Sequence, residues 1–374
     1  MSDATPLPLA DLRVLELATV VAGPGCGRYL ADFGADVIKI ERPGAGDSTR
    51  TLGWRDPADD TTYWWKLLGR NKRCIELDLK SDEGRQRFLA LVATADVVIE
   101  NFRPGKLEAL GLGPDVLLAA RGQLVITRVS GFGQDGPYAQ RPGFATLAEA
   151  MSGFAAINGT ADGGPTLPPI ALTDEVTALS AAFATMVALH SGVGQVVDVN
   201  LLESMFQVMG PLLSVHAATG YVQPRMGSEL PYSVPRNTYR CADGRWVAVS
   251  ASSESVGPRV MDLVGLDAEA LQTFSARVAA RDQINEAVSG WIGARPSEEV
   301  LAGFAEVDAA VALVFDAADI AADPHFAARE ALVDVDGATM QGLVARLSAT
   351  PGRLAWAGRP QGADTVAVLS ELDD

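Results

Sequence analysis

Short apolar runs alternate with stretches of helical spacing through the first half of the chain. Leu12-Arg-Val-Leu-Glu-Leu-Ala18 reads as a buried strand, Gly25 to Phe33 carries helical spacing, and Gly34 ends that helix before a second strand at Asp36-Val-Ile-Lys-Ile-Glu41. The alternation recurs with a strand over Cys74–Leu79, a helix over Ser81–Ala93, and strands over Asp96–Glu100 and Leu124–Val129. Strands and helices that alternate with such short connections predict a parallel α/β sheet.

A Gly/Pro-rich stretch from Gly163 to Pro169 then leads to Thr173-Asp174, which opens a long helical pattern. Val176, Leu179, Phe183, Met186 and Val187 fall on one face of it, the face expected to be core, and Gly192 and Gly194 close it. A strand over Gly194–Asn200 and a helix from Leu201 to about Ser214 follow. Prolines and glycines between Gly220 and Pro235 mark a linker. A second region begins at Asn237, where Ala242-Asp-Gly-Arg turns a hairpin into Trp246–Ser250, and helical patterns run on to about residue 322.

Composition narrows the function. The chain has 374 residues, with 30 Lys and Arg against 47 Asp and Glu, a net charge of −17. That length suggests two or three domains, and 48% hydrophobic with 21% charged residues marks a folded chain. Such acidity excludes nucleic acid as a main partner, because phosphate tracks need concentrated Lys and Arg; a few placed arginines still suffice for a small anion. Cys26, Cys74 and Cys241 form no disulfide framework, and His190, His216 and His325 show no metal-ligand spacing. Residues 1–6 carry no basic or apolar leader, and no run of about 18 apolar residues suggests a membrane span. The expectation is a cytoplasmic protein with no membrane partner.

Three features carry candidate chemistry. Gly23-Pro-Gly25-Cys-Gly27, between a strand and a helix and followed by Glu41, resembles a dinucleotide fingerprint, but Arg28 stands where its third glycine belongs. A tight strand–helix turn explains the same glycines. Arg42, Lys80 and Arg103 each lie at or just past a strand's carboxyl end, where open α/β sheets bind ligands. They read either as anchors for a polyphosphate or carboxylate ligand or as solvated surface charges. Asp174 reads either as a cap of the long helix or as a nucleophilic carboxylate beside a Gly/Pro-rich loop.

These segments resemble the class III CoA-transferase family (the CaiB/BaiF type), which includes formyl-CoA and carnitine CoA-transferases, with alpha-methylacyl-CoA racemase as a divergent branch. The resemblance rests on Leu9-Ala-Asp-Leu-Arg-Val-Leu-Glu-Leu17, Leu30-Ala-Asp-Phe-Gly-Ala-Asp-Val-Ile-Lys-Ile-Glu-Arg-Pro43, Asn71-Lys-Arg-Cys-Ile-Glu-Leu-Asp-Leu-Lys80 and Asp96-Val-Val-Ile-Glu-Asn-Phe-Arg-Pro-Gly105. Ser130-Gly-Phe-Gly-Gln-Asp-Gly-Pro137, Gly194-Gln-Val-Val-Asp-Val199, Tyr239-Arg-Cys-Ala-Asp-Gly-Arg245 and Ala322-Asp-Pro-His325 continue it in family order.

The resemblance implies Asp174 as the catalytic aspartate. It implies that Arg42, Leu77, Asp78, Leu79, Lys80, Asn101, Phe102 and Arg103 hold the nucleotide and phosphates of CoA, and that Val20, Gly143 and Phe144 line the path to the thioester. The implied reaction moves CoA from an acyl-CoA to a small free carboxylic acid through aspartyl anhydride and aspartyl-CoA thioester intermediates, with no metal or tightly bound cofactor. The implied fold is a large Rossmann-like CoA-binding domain with a parallel sheet plus a smaller α+β domain, in an interlocked, ring-like homodimer. On this expectation residues 1–199, completed by about 345–374, form the large domain and residues 231–325 the small one. Residues 200–230 and 326–344 are then linkers.

Departures from the family pattern bear on the activity. The racemase branch has a histidine at the position of Phe144 and an acid at that of Arg240, and neither replacement here suits α-proton transfer. Formyl-CoA transferase has a glutamine at the position of Val21 and an acid at that of Ala145. The alternatives are a racemase-like enzyme or a non-catalytic CoA-binding protein. Trp54, Tyr63, Trp64 and Trp65 read either as walls of the acyl pocket or, as aromatic clusters more often are, as plain core, and stay outside the candidate site.

Overall fold

The computed structural model describes residues 7–373; residues 1–6, on which the missing leader was read, lie outside the described residues. The chain falls into two compact units. The first takes in the chain up to Gly153, Pro168–Met209 and the chain from Pro324; the second takes in Phe154–Leu167 and Gly210–Asp323.

The first unit is built on six parallel strands: β1 (Arg13–Glu16), β2 (Asp36–Glu41), β3 (Arg73–Glu76), β4 (Val97–Glu100), β5 (Val125–Ser130) and β6 (Gln195–Asn200). Their spatial order is β3-β2-β1-β4-β5-β6. The chain runs outward one way from β1 and the other way from β4, so a crevice opens between the loops that leave these two strands. Successive strand residues point to opposite faces, and both faces are buried. Val14, Val37, Val97, Ile99 and Val125 pack on one side, and Leu15, Ile38, Ile75, Val98 and Ile126 on the other.

The first of these faces is covered by α1 (Ala22–Asp32), α4 (Leu172–Ser191) and α5 (Leu201–Gln207), and the other by α2 (Asp82–Ala93), whose start is capped by Ser81. A short helix, α3 (Ala145–Met151), packs on α4 and α5.

Two sequence readings change here. The glycines of the Gly-Pro-Gly-Cys-Gly stretch lie inside α1 rather than in a turn ahead of it. A Cβ on Gly25 would come within 2.7 Å of the Ala178 Cβ on α4, and one on Gly27 within 1.9 Å of the Glu16 carboxylate. They are absent side chains that let α1 lie close on its neighbours, which explains them without a pyrophosphate loop. The core face of α4 likewise differs from the one expected, of which Met186 is half-buried and packs on the core. Its buried residues are Thr173, Thr177, Ala178, Ala181, Ala182, Thr185 and Ala188, whereas Leu179, Phe183 and Val187 are 43%, 72% and 53% exposed. Close approach to a glycine-bearing helix selects small residues at the contact. Among the described residues α4 is also the one helix long and apolar enough to cross a membrane by length and composition.

The helix expected from Leu201 to about Ser214 is broken, because Gly210 adopts φ +63° and Pro211 follows it; α5 ends at Gln207 and α6 (Leu212–Thr219) belongs to the second unit. That unit holds an antiparallel sheet of β7 (Arg236–Arg240), β8 (Trp246–Ser250) and β9 (Val311–Leu313). Gly244 (φ +86°) makes the turn between β7 and β8, and Val247, Val249, Ile284, Val288, Ile292 and Phe304 form the core. Back in the first unit, residues 326–344 carry a hairpin of β10 (Leu332–Val335) and β11 (Ala338–Gln341).

Candidate active site

The loop after β1 is the floor of the crevice, and buried charge fixes its shape. Val20 sits at φ +70°, a conformation that costs a β-branched residue energy. Its N–H donates to Asp47 Oδ1 at 3.3 Å, and the Asp47 Oδ2 accepts from Lys39 Nζ at 2.6 Å. Lys39 also donates to the Ala18 carbonyl and pairs with Glu16 at 3.1 Å; Lys72 pairs with the other Glu16 oxygen at 2.7 Å and donates to the Pro24 carbonyl. Glu16, Lys39, Asp47 and Lys72 are each no more than 1% exposed, so two buried cations balance two buried anions. Burial alone would lower the Lys39 pKa, but Glu16 and Asp47 outweigh it and hold the ammonium charged.

Two neighbouring cavities open on this floor. The first, about 450 Å³, is lined by Val20, Asn101, Arg103, Gly143, Phe144 and Asp174 among others. The second, about 290 Å³, is lined by Arg42, Leu77, Asp78, Leu79 and Lys80. Thr19 and Phe102 line both, so the two adjoin in a groove along the strand ends. Every residue singled out from the sequence as a site residue therefore lies on one wall or the other.

Sequence reading missed two cations in the groove, Arg141 in the first cavity and Lys106 in the second. Lys106 follows Arg103 by three residues and Arg141 precedes Gly143 by two, but neither sits at a strand end. Among the described residues Arg42, Lys80, Arg103, Lys106 and Arg141 form no ion pair, although Arg141 stacks on the Tyr138 ring at 3.9 Å. Elsewhere in this unit the arginines are mostly tied to carboxylates, for example Arg50 to Glu41, Arg70 to Asp32 and Arg128 to Glu100. Unpaired cations along one groove of an acidic protein suit an anionic ligand.

Asp174 stands at the third position of α4, whose N-cap is Ala171, so its side chain does not cap the helix as one sequence reading had it. Its neighbours are fixed. The Thr173 hydroxyl donates to Glu149 at 3.0 Å, and Glu175 accepts from Arg28 at 3.0 Å and from the Tyr29 hydroxyl at 2.8 Å. The Asp174 carboxylate itself has no hydrogen-bond partner among the described residues and borders the first cavity. Burial, then the nearby charges of Glu149 and Glu175, push its pKa up to about 6. The result is a free, unusually basic carboxylate at a helix start, on a cavity whose wall also carries Arg103 and Arg141.

The aromatic cluster divides. Trp65 is core at 2% exposure, as expected, but Trp54 is 81% exposed and Tyr63 41%. Trp54 and Trp64 line a third cavity, about 730 Å³, along the same helix start with Ile170 and Glu175.

Residues 9–365 match the family model described as CoA-transferase family III. The chain belongs to that family. It is 38% identical over 99% of its length to the succinyl-CoA–D-citramalate CoA-transferase of Chloroflexus aurantiacus, covering 95% of that protein. It is 33% identical over 98% of its length to the succinate–glutarate CoA-transferase of Agrobacterium fabrum, covering 96% of that protein. Among solved structures, a CaiB/BaiF family protein from Brucella suis superposes with a TM-score of 0.86 at 32% identity, covering 99% of this chain and all of the other. This CoA-transferase is therefore an enzyme of the class that moves CoA between an acyl-CoA and a carboxylic acid, and the non-catalytic reading falls away.

Proposed function

We propose that the enzyme exchanges CoA between acyl-CoA and free acid with Asp174 as the nucleophile. The observation that carries this reading is the unpartnered, basic Asp174 carboxylate on a groove that unpaired cations line. On this reading the nucleotide and phosphates of CoA lie in the second cavity with Arg42, Lys80 and Lys106, along Leu77, Asp78 and Leu79. The pantetheine passes Thr19 and Phe102, and Val20, Gly143 and Phe144 guide the thioester to Asp174.

An Asp174 oxygen attacks the thioester carbon; the C–S bond breaks, and its electron pair leaves on the CoA sulfur, giving a mixed anhydride and a thiolate. The thiolate then attacks the aspartyl carbonyl and frees the donor acid, leaving an aspartyl-CoA thioester. The acceptor carboxylate attacks that thioester, and the released thiolate takes the acyl group from the second anhydride, which restores Asp174. Splitting one exchange into such steps is the gain of covalent catalysis. Val21 and Ala22, at the start of α1, border the same cavity, and N–H groups at a helix start favour the thiolate and the developing oxyanion. Phe144 has no proton to exchange, so the site favours transfer over racemisation.

The relatives named for succinyl-CoA donors support a dicarboxylyl donor here; the lining of the first cavity by Arg103 and Arg141 supports their meeting its second carboxylate, in place of the CoA-phosphate role that the resemblance implies for Arg103. The exposed apolar face of α4 supports the interlocked homodimer, and three buried free cysteines support a reducing, cytoplasmic setting. Mass spectrometry of products from acyl-CoA donors paired with a panel of carboxylic acids tests the reading. Transfer from succinyl-CoA to a second acid is expected, and hydrolysis without transfer to any acid would refute it.

A further inference from the structure

Glu149 lies on α3 and is 4% exposed, yet no cation pairs with its carboxylate among the described residues. The other deeply buried carboxylates of this unit are each met by one: Asp32 by Arg70, Glu41 by Arg50, Glu100 by Arg128, Glu16 by Lys39 and Lys72. A buried charge without a counter-ion is costly, and packing alone gives no reason to keep it. Among the described residues its side chain accepts one hydrogen bond, from the Thr173 hydroxyl at 3.0 Å. Thr173 immediately precedes Asp174 in the first turn of α4, so this bond holds the Glu149 carboxylate against the helix start that carries the nucleophile.

The other charged groups around the pair are accounted for. Glu175 is tied to Arg28 and Tyr29 of α1, Glu203 on α5 is exposed, and Arg103 and Arg141 stand on the cavity wall without pairing to either carboxylate. We propose that Glu149 is a positioning residue that acts through Asp174, raising the energy of its carboxylate relative to its acylated forms. When the Asp174 oxygen bonds to the acyl carbon and the electron pair of the broken C–S bond leaves on sulfur, residue 174 becomes neutral and the repulsion from Glu149 ends. The relief applies equally to the anhydride and to the aspartyl-CoA thioester. The upward displacement of Asp174, to which burial contributes first and Glu149 next, agrees with this geometry.

The inference rests on Asp174 as nucleophile, and its test separates the two. The experiment follows kcat and KM for CoA transfer from succinyl-CoA across pH, in the full-length enzyme and in Glu149→Gln. The acid limb of the glutamine variant is expected at lower pH by about half a unit or more, with kcat at pH 7.5 reduced about fivefold and KM within about twofold. Glu175→Gln is expected to move the limb less, because Arg28 already offsets that charge. An unmoved limb in Glu149→Gln, with Asp174→Asn inactive, overturns the role of Glu149 and leaves the nucleophile standing. Wild-type turnover by Asp174→Asn overturns the underlying reading instead. If Glu149→Gln does not fold, Thr173→Val removes the hydroxyl that holds Glu149; a displaced acid limb then supports the inference, and an unmoved one overturns it.

Discussion

Asn101 and Thr19 clasp each other across the switch point of the sheet. The Thr19 N–H donates to Asn101 Oδ1 at 2.9 Å, and Asn101 Nδ2 donates to the Thr19 carbonyl at 2.6 Å. The clasp joins the loops that follow β1 and β4, and Thr19 is one of the two residues shared by both cavities. Replacement by alanine leaves two backbone groups without partners. Asn101→Ala is expected to cost about 1–3 kcal/mol in urea unfolding. It should also lower kcat/KM more than tenfold in steady-state assays, about 1.4 kcal/mol or more.

The unpaired cations of the groove give a second prediction. Arg42→Gln and Lys80→Gln should each weaken CoA binding about tenfold by titration calorimetry, as expected for loss of a charge-assisted bond. Because these side chains are exposed, the wild-type affinity should also fall as salt rises, and less steeply in each variant.

The raised Asp174 pKa gives a third. The carboxylate is the reactive form, so transfer should fall as pH drops through about 6. Linkage works against the fold at higher pH. A carboxyl with a folded-state pKa above its unfolded value of 3.8 binds its proton more tightly when folded, so stability falls as pH rises from about 3.8 to about 6, and the cost is complete above that. Asp174→Asn should therefore be more stable than wild type at pH 7.5, by about 1–3 kcal/mol, and the gain should shrink toward pH 4. Paired thermal melts at the two pH values measure it.

The buried cluster beneath Val20 gives a fourth. Lys39→Met leaves Asp47 with no cation and removes a donor to the Ala18 carbonyl. A loss of about 3–5 kcal/mol is expected in chemical denaturation, the usual cost of stranding one member of a buried pair.

The strands were legible because both faces of a parallel sheet demand apolar runs, as in Val97-Val-Ile99. Strand-end position likewise singled out Arg42, Lys80 and Arg103. Periodicity misjudged α4 because it ranks Phe183 above Ala181, whereas the neighbouring helix carries Gly25 and admits only small side chains at the contact. Lys106 opens a short helix and Arg141 lies in a loop, neither at a strand end, and only the folded chain brings them to the groove. Glu149 belongs to no motif or spacing singled out in the sequence, and its burial and lack of a cation are seen only in the fold.

The claim that Asp174 bonds covalently to substrate is tested most directly by peptide mass spectrometry after incubation with succinyl-CoA and a hydroxylamine quench. A hydroxamate is expected on the peptide containing Asp174 in the wild-type enzyme, and none in Asp174→Ala, which should still bind CoA but not transfer it. Transfer at the wild-type rate by Asp174→Ala, with no modification at residue 174 in either protein, would contradict that claim.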